Sequence, residues 1–100
     1  MAKRLRLPAA TLNDTRGFVR RASPLFIVRS RANGLGHPRF SVIVSIKVDR
    51  RSTERHRLKR RVSGYLRLKQ RTGDFIITVL PPAKSLSRPA FLQEIDRLLS

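Results

Sequence analysis

The sequence predicts an α+β or α/β sandwich built on one small sheet, with elements in the order helix, strands, helix, strand, helix. Three observations support this prediction. The 100 residues amount to about one domain. Residues 39–48 alternate between two kinds of side chain, as a strand does, and residues 53–71 repeat apolar side chains at helical spacing. The hydrophobic content of 40% is enough for one modest core.

The N-terminal part is predicted to contain a basic arm and a first helix. Residues 1–6 (MAKRLR) have the composition of a flexible arm. Pro8 suits the first turn of a helix that runs to about Arg16, with Leu7 facing inward. We therefore divide the chain into a basic flexible arm over residues 1–6 and a single domain over residues 7–100.

Two strands are predicted next, over residues 24–31 (PLFIVRSR) and 39–48 (RFSVIVSIKV), with the turn signal Asn33-Gly34 between them. The second strand has two distinct faces. They are Phe40, Val42, Val44, Ile46 and Val48 on one side and Arg39, Ser41, Ile43, Ser45 and Lys47 on the other. This alternation indicates that one face packs on a core and the other faces something polar.

A long helix is predicted over residues 53–71, with Thr53 or Ser52 as its cap and Glu54 near its positive N-terminus. Its apolar stripe consists of Leu58, Val62, Tyr65 and Leu66. A further strand over residues 74–80 is stopped by the prolines after it. The last helix follows Ser87, with inward positions at Phe91, Leu92, Ile95, Leu98 and Leu99.

Charge points to a polyanionic partner. The chain has 23 Lys and Arg against 6 Asp and Glu, for a formal net charge of +17. Self-repulsion at this level disfavours the compact state, and an anionic partner relieves it. Nucleic acid is the leading candidate, and an anionic membrane surface is the other. Of the basic residues 18 are Arg, whose planar fork holds phosphates or stacks on bases, which favours structured nucleic acid.

The basic helix is the strongest functional signal. Residues 50–71 carry ten basic residues and one acid, Glu54. A merely solvated helix face usually intersperses acids for pairing, and this one does not. Two weaker candidates for nucleic-acid contact accompany it. The first is the polar face of residues 39–48, which ordinary solvent exposure explains equally well. The second is Phe18, which lies among arginines and is a minority candidate for stacking on a base.

Several function classes lack support in the sequence. There is no Cys, and neither His37 nor His56 has partners at metal-ligand spacing. No paired carboxylates and no nucleophile–His–acid arrangement appear, so we expect no catalytic residues and no metal site in this chain. No long apolar run follows the basic N-terminus, so we expect a cytoplasmic protein without a secretory signal or membrane span.

The segment SVIVSIKVDRRSTERHRLKRR resembles the signature region of the bacterial ribonuclease P protein component. That family has a strand ending in Ser-Lys-Lys-Val, a basic loop, and a helix opening with Arg-Asn-Arg-x-x-Lys-Arg-like spacing. His56 stands where Asn is usual, and Ile46 replaces the first Lys. The resemblance extends through DFIITVLPPAKSLSRPAFLQEIDRLL and back to PLFIVRSRANGLGHPRF, which together cover roughly residues 24–100. The family's first helix carries Phe residues, whereas residues 7–16 have none.

The resemblance implies a fold and a function. The sheet would have four strands, mostly antiparallel, packed with three helices in the order α-β-β-β-α-β-α. It would be a ribosomal-protein-like two-layer sandwich with a left-handed βαβ crossover, and residues 18–22 would supply the short fourth strand. The protein would bind the catalytic RNA of ribonuclease P and assist removal of the 5′ leader from precursor tRNA. That RNA would hydrolyse the phosphodiester with Mg²⁺, so no tightly bound metal is expected in the protein.

The implied partners are the ribonuclease P RNA subunit and precursor tRNA, with neither a membrane nor a small-molecule substrate. The candidate residues that contact the RNA subunit are Arg55, His56, Arg57, Lys59, Arg60, Arg61, Arg67, Lys47, Arg50 and Arg51. The candidate leader cleft is formed by Phe18, Arg39, Ser41, Ser45 and Arg16. Three alternatives stay open: a structural RNA-binding protein of ribosomal type, a protein-only nuclease, and a cationic protein that binds DNA or membrane surfaces.

Overall fold

Four strands and two α-helices account for most of the residues that the computed structural model describes, which are 6–8, 14, 16–69 and 72–99. A short 3-10 helix lies between the last strand and the last α-helix. The elements are β1 (Val19–Ala22), β2 (Phe26–Arg31), β3 (Pro38–Val44), α1 (Ser52–Lys69), β4 (Gly73–Val79), the 3-10 helix (Pro81–Ser85) and α2 (Arg88–Leu99).

The strands form one sheet in the order β1-β2-β4-β3. The pairs β1–β2 and β2–β4 are antiparallel, whereas β3 and β4 are parallel. The expectation of a mostly antiparallel sheet is therefore wrong, and the sheet is mixed. The reason is α1, because a helical crossover between two neighbouring strands returns the chain in the same direction. The four-stranded sheet and the short strand within residues 18–22 are confirmed. The left-handedness of the crossover stays a prediction.

Both helices pack on the same face of the sheet. The buried cluster joins β2, β3 and β4 through Val28, Phe40 and Ile77 to α1 through Leu58 and to α2 through Ile95. The predicted stripe of α1 is confirmed, since all four of its apolar residues are buried. In α2 the residues that we predicted to face inward are buried or pack partly buried against the core. This arrangement leaves the opposite face of the sheet free of α1 and α2.

The predicted first helix is not found among the described residues, which contain two α-helices where we expected three. Residues 9–13 and 15 make up most of the predicted helix, and they lie outside the residues that the structure describes. Arg6 forms a parallel bridge with Phe40, and the Leu7 N–H donates to the Phe40 carbonyl at 3.3 Å. These backbone groups extend the edge of β3 instead of starting a helix at Leu7. Leu7 itself is buried, as predicted.

Strand β3 is shorter than its sequence pattern indicates. It ends at Val44, and the Val48 N–H donates to the Ser45 carbonyl at 3.0 Å, which closes a turn. Val48 is buried, but Ile46 is 65% exposed, so its predicted core position is wrong. The turn rotates Ile46 away from the face that it would occupy in a continuous strand. No helix among the described residues is long and apolar enough to cross a membrane.

Candidate nucleic-acid interface

The basic residues of α1 are held outward by its buried stripe. Because Leu58, Val62, Tyr65 and Leu66 pack into the core, the side chains on the other sides of the helix point outward or along its flanks. His56, Arg57, Arg60 and Arg67 are exposed, while Arg55, Lys59 and Arg61 are half-buried. The helix therefore presents a concentrated positive surface on the side away from the sheet and along its flanks.

A groove with a volume of about 330 Å³ separates α1 from the edge strand β3. Ser41 contributes from the strand, and His56, Lys59 and Arg60 contribute from the helix. The structure thus brings a residue of the predicted leader cleft together with three residues predicted to contact the RNA subunit. The full lining is Arg6, Phe40, Ser41, Val42, His56, Lys59, Arg60 and Ser63.

The loop before α1 carries three further predicted residues, of which two line a second concavity. Lys47 and Arg50 line this concavity of about 640 Å³ together with Lys84. Arg51 is turned toward Asp49, to which its Nε and Nη2 donate at 3.2 and 3.0 Å. Sequence reasoning missed Lys84, which lies far along the chain and reaches the loop only through the fold.

Two predicted residues serve the loop rather than a free binding surface. Arg55 Nη1 donates to the carbonyls of Asp49 at 3.0 Å and Arg50 at 2.8 Å, so this guanidinium fixes the loop at the start of α1. Ser45 Oγ accepts the backbone N–H of Lys47 at 3.3 Å, within the turn that ends β3. Arg67 is exposed near the C-terminal end of α1 and does not line the groove beside β3.

Asp49 organises this loop electrostatically. Its side chain is 4% exposed, and it forms ion pairs with Arg51 and with Lys84, each at 3.0 Å. The Arg51 side chain, then the Arg51 backbone N–H, then Lys84 hold the pKa of the Asp49 carboxyl well below its usual range, against the opposing effect of burial. The loop is therefore built around a carboxylate that stays ionised.

We expect Asp49→Asn to lower stability at neutral pH and to lower it less in acid. A carboxyl group with a depressed folded-state pKa stabilises the fold above its unfolded pKa of about 3.9, and loses that effect as the pH falls toward the folded-state pKa. The wild type therefore approaches the variant as the pH falls below about 4. Urea titrations of both proteins from neutral to acid pH measure this convergence, and a gap that does not change with pH would contradict it.

On the open face of the sheet, a buried carboxylate binds two arginines. Asp74 is fully buried, and Arg39 donates to it through Nε and Nη2, both at 2.9 Å. Asn33 donates to Asp74 at 2.9 Å and Arg31 at 3.3 Å. Arg39, which we placed in the leader cleft, thus has its guanidinium fork occupied by Asp74.

Gly73 allows Asp74 to reach this position. It has a φ of +125°, and a Cβ there would lie 2.9 Å from the Arg31 carbonyl oxygen. A side chain at this position would be both strained and in collision with backbone. Glycine therefore lets β4 start directly beside β2, with Asp74 level with Arg31 and Arg39 on the neighbouring strands.

Phe18 lies at the end of the same network. The Arg31 guanidinium carbon lies 4.4 Å from the centre of the Phe18 ring, a cation–π contact. Arg31 also donates to the Arg16 carbonyl at 3.4 Å. The Arg16 side chain, which we placed in the leader cleft, is paired with Asp14 at 2.9 Å and is exposed. Arg31 therefore joins Phe18 to Asp74, a connection that the sequence did not predict.

The cross-strand register reveals basic residues on the open face that sequence reasoning missed. Arg20 pairs with Arg29, which neighbours Ile76 and then Ser41 across the sheet. Residues opposite each other in neighbouring strands share a face. Arg20 and Arg29 therefore extend the positive surface from the groove across the sheet. Only the register of β1 against β2 shows this, because both arginines lie in short segments without clear alternation.

Comparisons with known proteins agree on one family. A family model described as Ribonuclease P matches residues 9–100. The ribonuclease P protein component of Yersinia enterocolitica is 33% identical over 82 residues, covering 79% of this chain and 69% of that protein. The corresponding protein of Escherichia coli strain K12 is 32% identical over the same length and coverage.

Solved structures show the same fold. The RNase P protein of Staphylococcus aureus superposes with a TM-score of 0.83 at 20% identity, covering 95% of this chain and 92% of that one. The RNase P protein of Thermotoga maritima superposes with a TM-score of 0.80 at 21% identity, covering 94% of each chain.

Proposed function

Because this chain belongs to the ribonuclease P protein family, and so is a protein subunit of an endoribonuclease, we propose how it contacts its RNA partners. The basic face of α1 binds the RNA subunit. The groove beside β3 and the open face of the sheet bind the 5′ leader of precursor tRNA. The chain thereby assists endonucleolytic removal of the leader, which is 5′ maturation of tRNA.

The observation that carries this proposal is the groove between α1 and β3. Its helical wall is basic, while its strand wall includes the small polar Ser41. A small side chain lets a nucleic-acid backbone approach closely, and the opposite wall supplies charges for its phosphates. One nucleic-acid strand in the groove would lie directly against the surface that we assign to the RNA subunit.

We propose that the protein supplies charge and position while the RNA subunit performs the hydrolysis with Mg²⁺. Bringing a leader against a folded RNA places two polyanions together, so part of their negative charge must be neutralised to reduce their repulsion. Guanidinium and ammonium groups on α1 and the sheet can provide part of that neutralisation, which lowers the demand for Mg²⁺. The described residues contain no group of three or more His, Asp or Glu that could hold a metal ion.

Leader dependence distinguishes this function from that of a structural RNA-binding protein of ribosomal type, which the family match does not favour. We expect the complex of protein and RNA subunit to bind precursor tRNA with a leader of several nucleotides more tightly than leaderless tRNA. The RNA subunit alone should show a smaller difference. Equal leader dependence with and without the protein would contradict the proposed leader contact.

Phe18→Ala should weaken leader binding by roughly 1–3 kcal/mol, the range measured for loss of a base–aromatic stack. The ring is half-buried with Arg31 over one face, so a base would stack on the other. Affinities of the assembled enzyme for precursor and for leaderless tRNA measure the effect, which should appear only with the leader. Val19→Ala is the matched control because Val19 is adjacent, apolar and 61% exposed. Unchanged leader affinity in Phe18→Ala would remove Phe18 from the site.

A further inference from the structure

Four arginines line a concavity between the two helices. Arg57, Arg60 and Arg61 come from α1, and Arg88 comes from the first turn of α2. The concavity has a volume of about 320 Å³. Arg88 is separated from the others by the whole of β4 and the 3-10 helix. The fold therefore concentrates four guanidinium groups from two distant segments.

These charges are largely unneutralised. Glu54 pairs with Arg57 at 2.9 Å, whereas Arg60, Arg61 and Arg88 form no ion pair within the described parts of the chain. Burial, then the charges of Arg57 and Arg88, lower the pKa of Arg61. The cluster thus carries electrostatic strain in the isolated protein, and an anion placed in it would remove that strain.

One member of the cluster lies against the core. The Arg61 guanidinium carbon lies 4.9 Å from the centre of the Phe91 ring. Phe91 is fully buried and packs edge-on against Phe26 at 4.9 Å between ring centres. Because Phe91 belongs to the core, the guanidinium above it is positioned before any ligand arrives. Such pre-organisation reduces the side-chain entropy that binding must overcome.

We propose that Arg57, Arg60, Arg61 and Arg88 form one site for closely spaced phosphate groups, and that these phosphates belong to the backbone of the RNA subunit. The proposal rests on the function proposed above and adds Arg88 to it, a residue outside the basic segment 50–71. Guanidinium groups suit this ligand because each can hold a phosphate through two parallel hydrogen bonds. A free polyphosphate offers the same chemistry, and the two sources require separate measurements.

The first measurement is the salt dependence of binding to ribonuclease P RNA by the full chain. Arg88→Ala should weaken binding roughly tenfold, as loss of one charged hydrogen bond does. It should also make the slope of log K against log salt shallower by about 0.7–0.9. Arg97→Ala is the matched control, because Arg97 is also on α2 but is paired with Glu94, and it should leave both quantities unchanged. Wild-type affinity and slope in Arg88→Ala would overturn the proposal.

The second measurement tests whether the arginines act as one site. If Arg60 and Arg88 hold the same phosphates, the double variant should lose less affinity than the two single variants added together. Strictly additive losses would overturn the single site. This outcome is distinguishable from failure of the proposed function, since a chain that binds the RNA but does not assist cleavage would still show the coupling.

The third measurement separates the two sources of phosphate. Pyrophosphate should raise the melting temperature of the wild type more than that of Arg88→Ala, because a ligand stabilises the state that binds it. Equal shifts in the two proteins would overturn the phosphate site. A pyrophosphate effect that depends on Arg88, together with unchanged RNA binding in Arg88→Ala, would overturn the assignment to RNA.

Discussion

Replacing Asp74 with Ala should destabilise the fold by about 3 kcal/mol, the lower end of the range for removing one partner of a buried ion pair. Asp74 accepts hydrogen bonds from Arg39, Asn33 and Arg31 and is fully buried. Its loss would take the carboxylate acceptor from the Arg39 guanidinium, and would leave Arg31 and Asn33 with only the carbonyls of Arg16 and His37 as acceptors. The lower end applies because the side chains of Arg39 and Arg31 are 24% and 32% exposed, and water can replace part of the lost contact.

Urea denaturation at neutral pH measures this effect. Asp14→Ala is the matched control, because Asp14 also pairs with an arginine but is exposed, and its removal should change stability little. An Asp74→Ala protein as stable as the Asp14→Ala protein would contradict the role of Asp74 as the centre of the network.

The same carboxylate should make the fold acid-sensitive. Burial alone would raise the pKa of Asp74, but the hydrogen bonds from Arg39 and Asn33 outweigh it and hold this pKa below its usual range. Its stabilising effect is present above the unfolded pKa of about 3.9 and is lost as the pH falls toward the folded-state pKa. The stability difference between wild type and Asp74→Ala should therefore shrink in acid.

Replacing Arg57 and Arg60 together with Ala should weaken binding to ribonuclease P RNA by about tenfold to 100-fold, the upper value applying only if the two losses are additive. Each charged hydrogen bond to phosphate contributes about 1.5 kcal/mol or more, and about 1.4 kcal/mol is a factor of ten in affinity. The salt slope should become shallower by about 0.7–0.9 for each phosphate contact that is lost. Both residues are exposed, so the fold should be nearly unaffected.

Filter binding or fluorescence titration over a series of salt concentrations measures both quantities. The charge-matched control is Arg21→Ala with Arg97→Ala. Arg21 of β1 donates to the Leu98 carbonyl near the end of α2, and Arg97 of α2 pairs with Glu94, so both arginines lie near the C-terminal part of α2 and away from the cluster at its start. This control removes the same net charge from another part of the surface. Equal losses in the two double variants would show that total charge, and not the face of α1, determines affinity.

The spacing of apolar residues along the sequence is sufficient to predict which side chains of α1 are buried. The inward stripe of α1 at Leu58, Val62, Tyr65 and Leu66 was correct because helical spacing and burial describe the same geometry. The same reasoning failed at Ile46, where the alternation of β3 continues in the sequence after the backbone has turned at Ser45. A two-residue period shows which side chains would share a face, but not where the strand stops.

The site was harder to predict because its partners are distant in sequence. Arg39 was correctly placed on the open face, yet its bidentate pairing with Asp74, 35 residues away, depends on the parallel register of β3 and β4. Arg88 joins the α1 arginines only because α2 returns to the same side of the sheet. Interactions of this kind follow from strand order and helix packing, which composition and spacing along one segment do not determine.

The central claim is that this chain assists ribonuclease P RNA in removing the 5′ leader of precursor tRNA. The direct test is the rate of multiple-turnover cleavage of precursor tRNA by the cognate RNA at low Mg²⁺, with and without the protein. We predict faster cleavage with the protein at an unchanged cleavage site, and a smaller acceleration with Arg57 and Arg60 replaced by Ala. A cleavage rate that the protein does not change, under conditions where it is bound to that RNA, would contradict the claim.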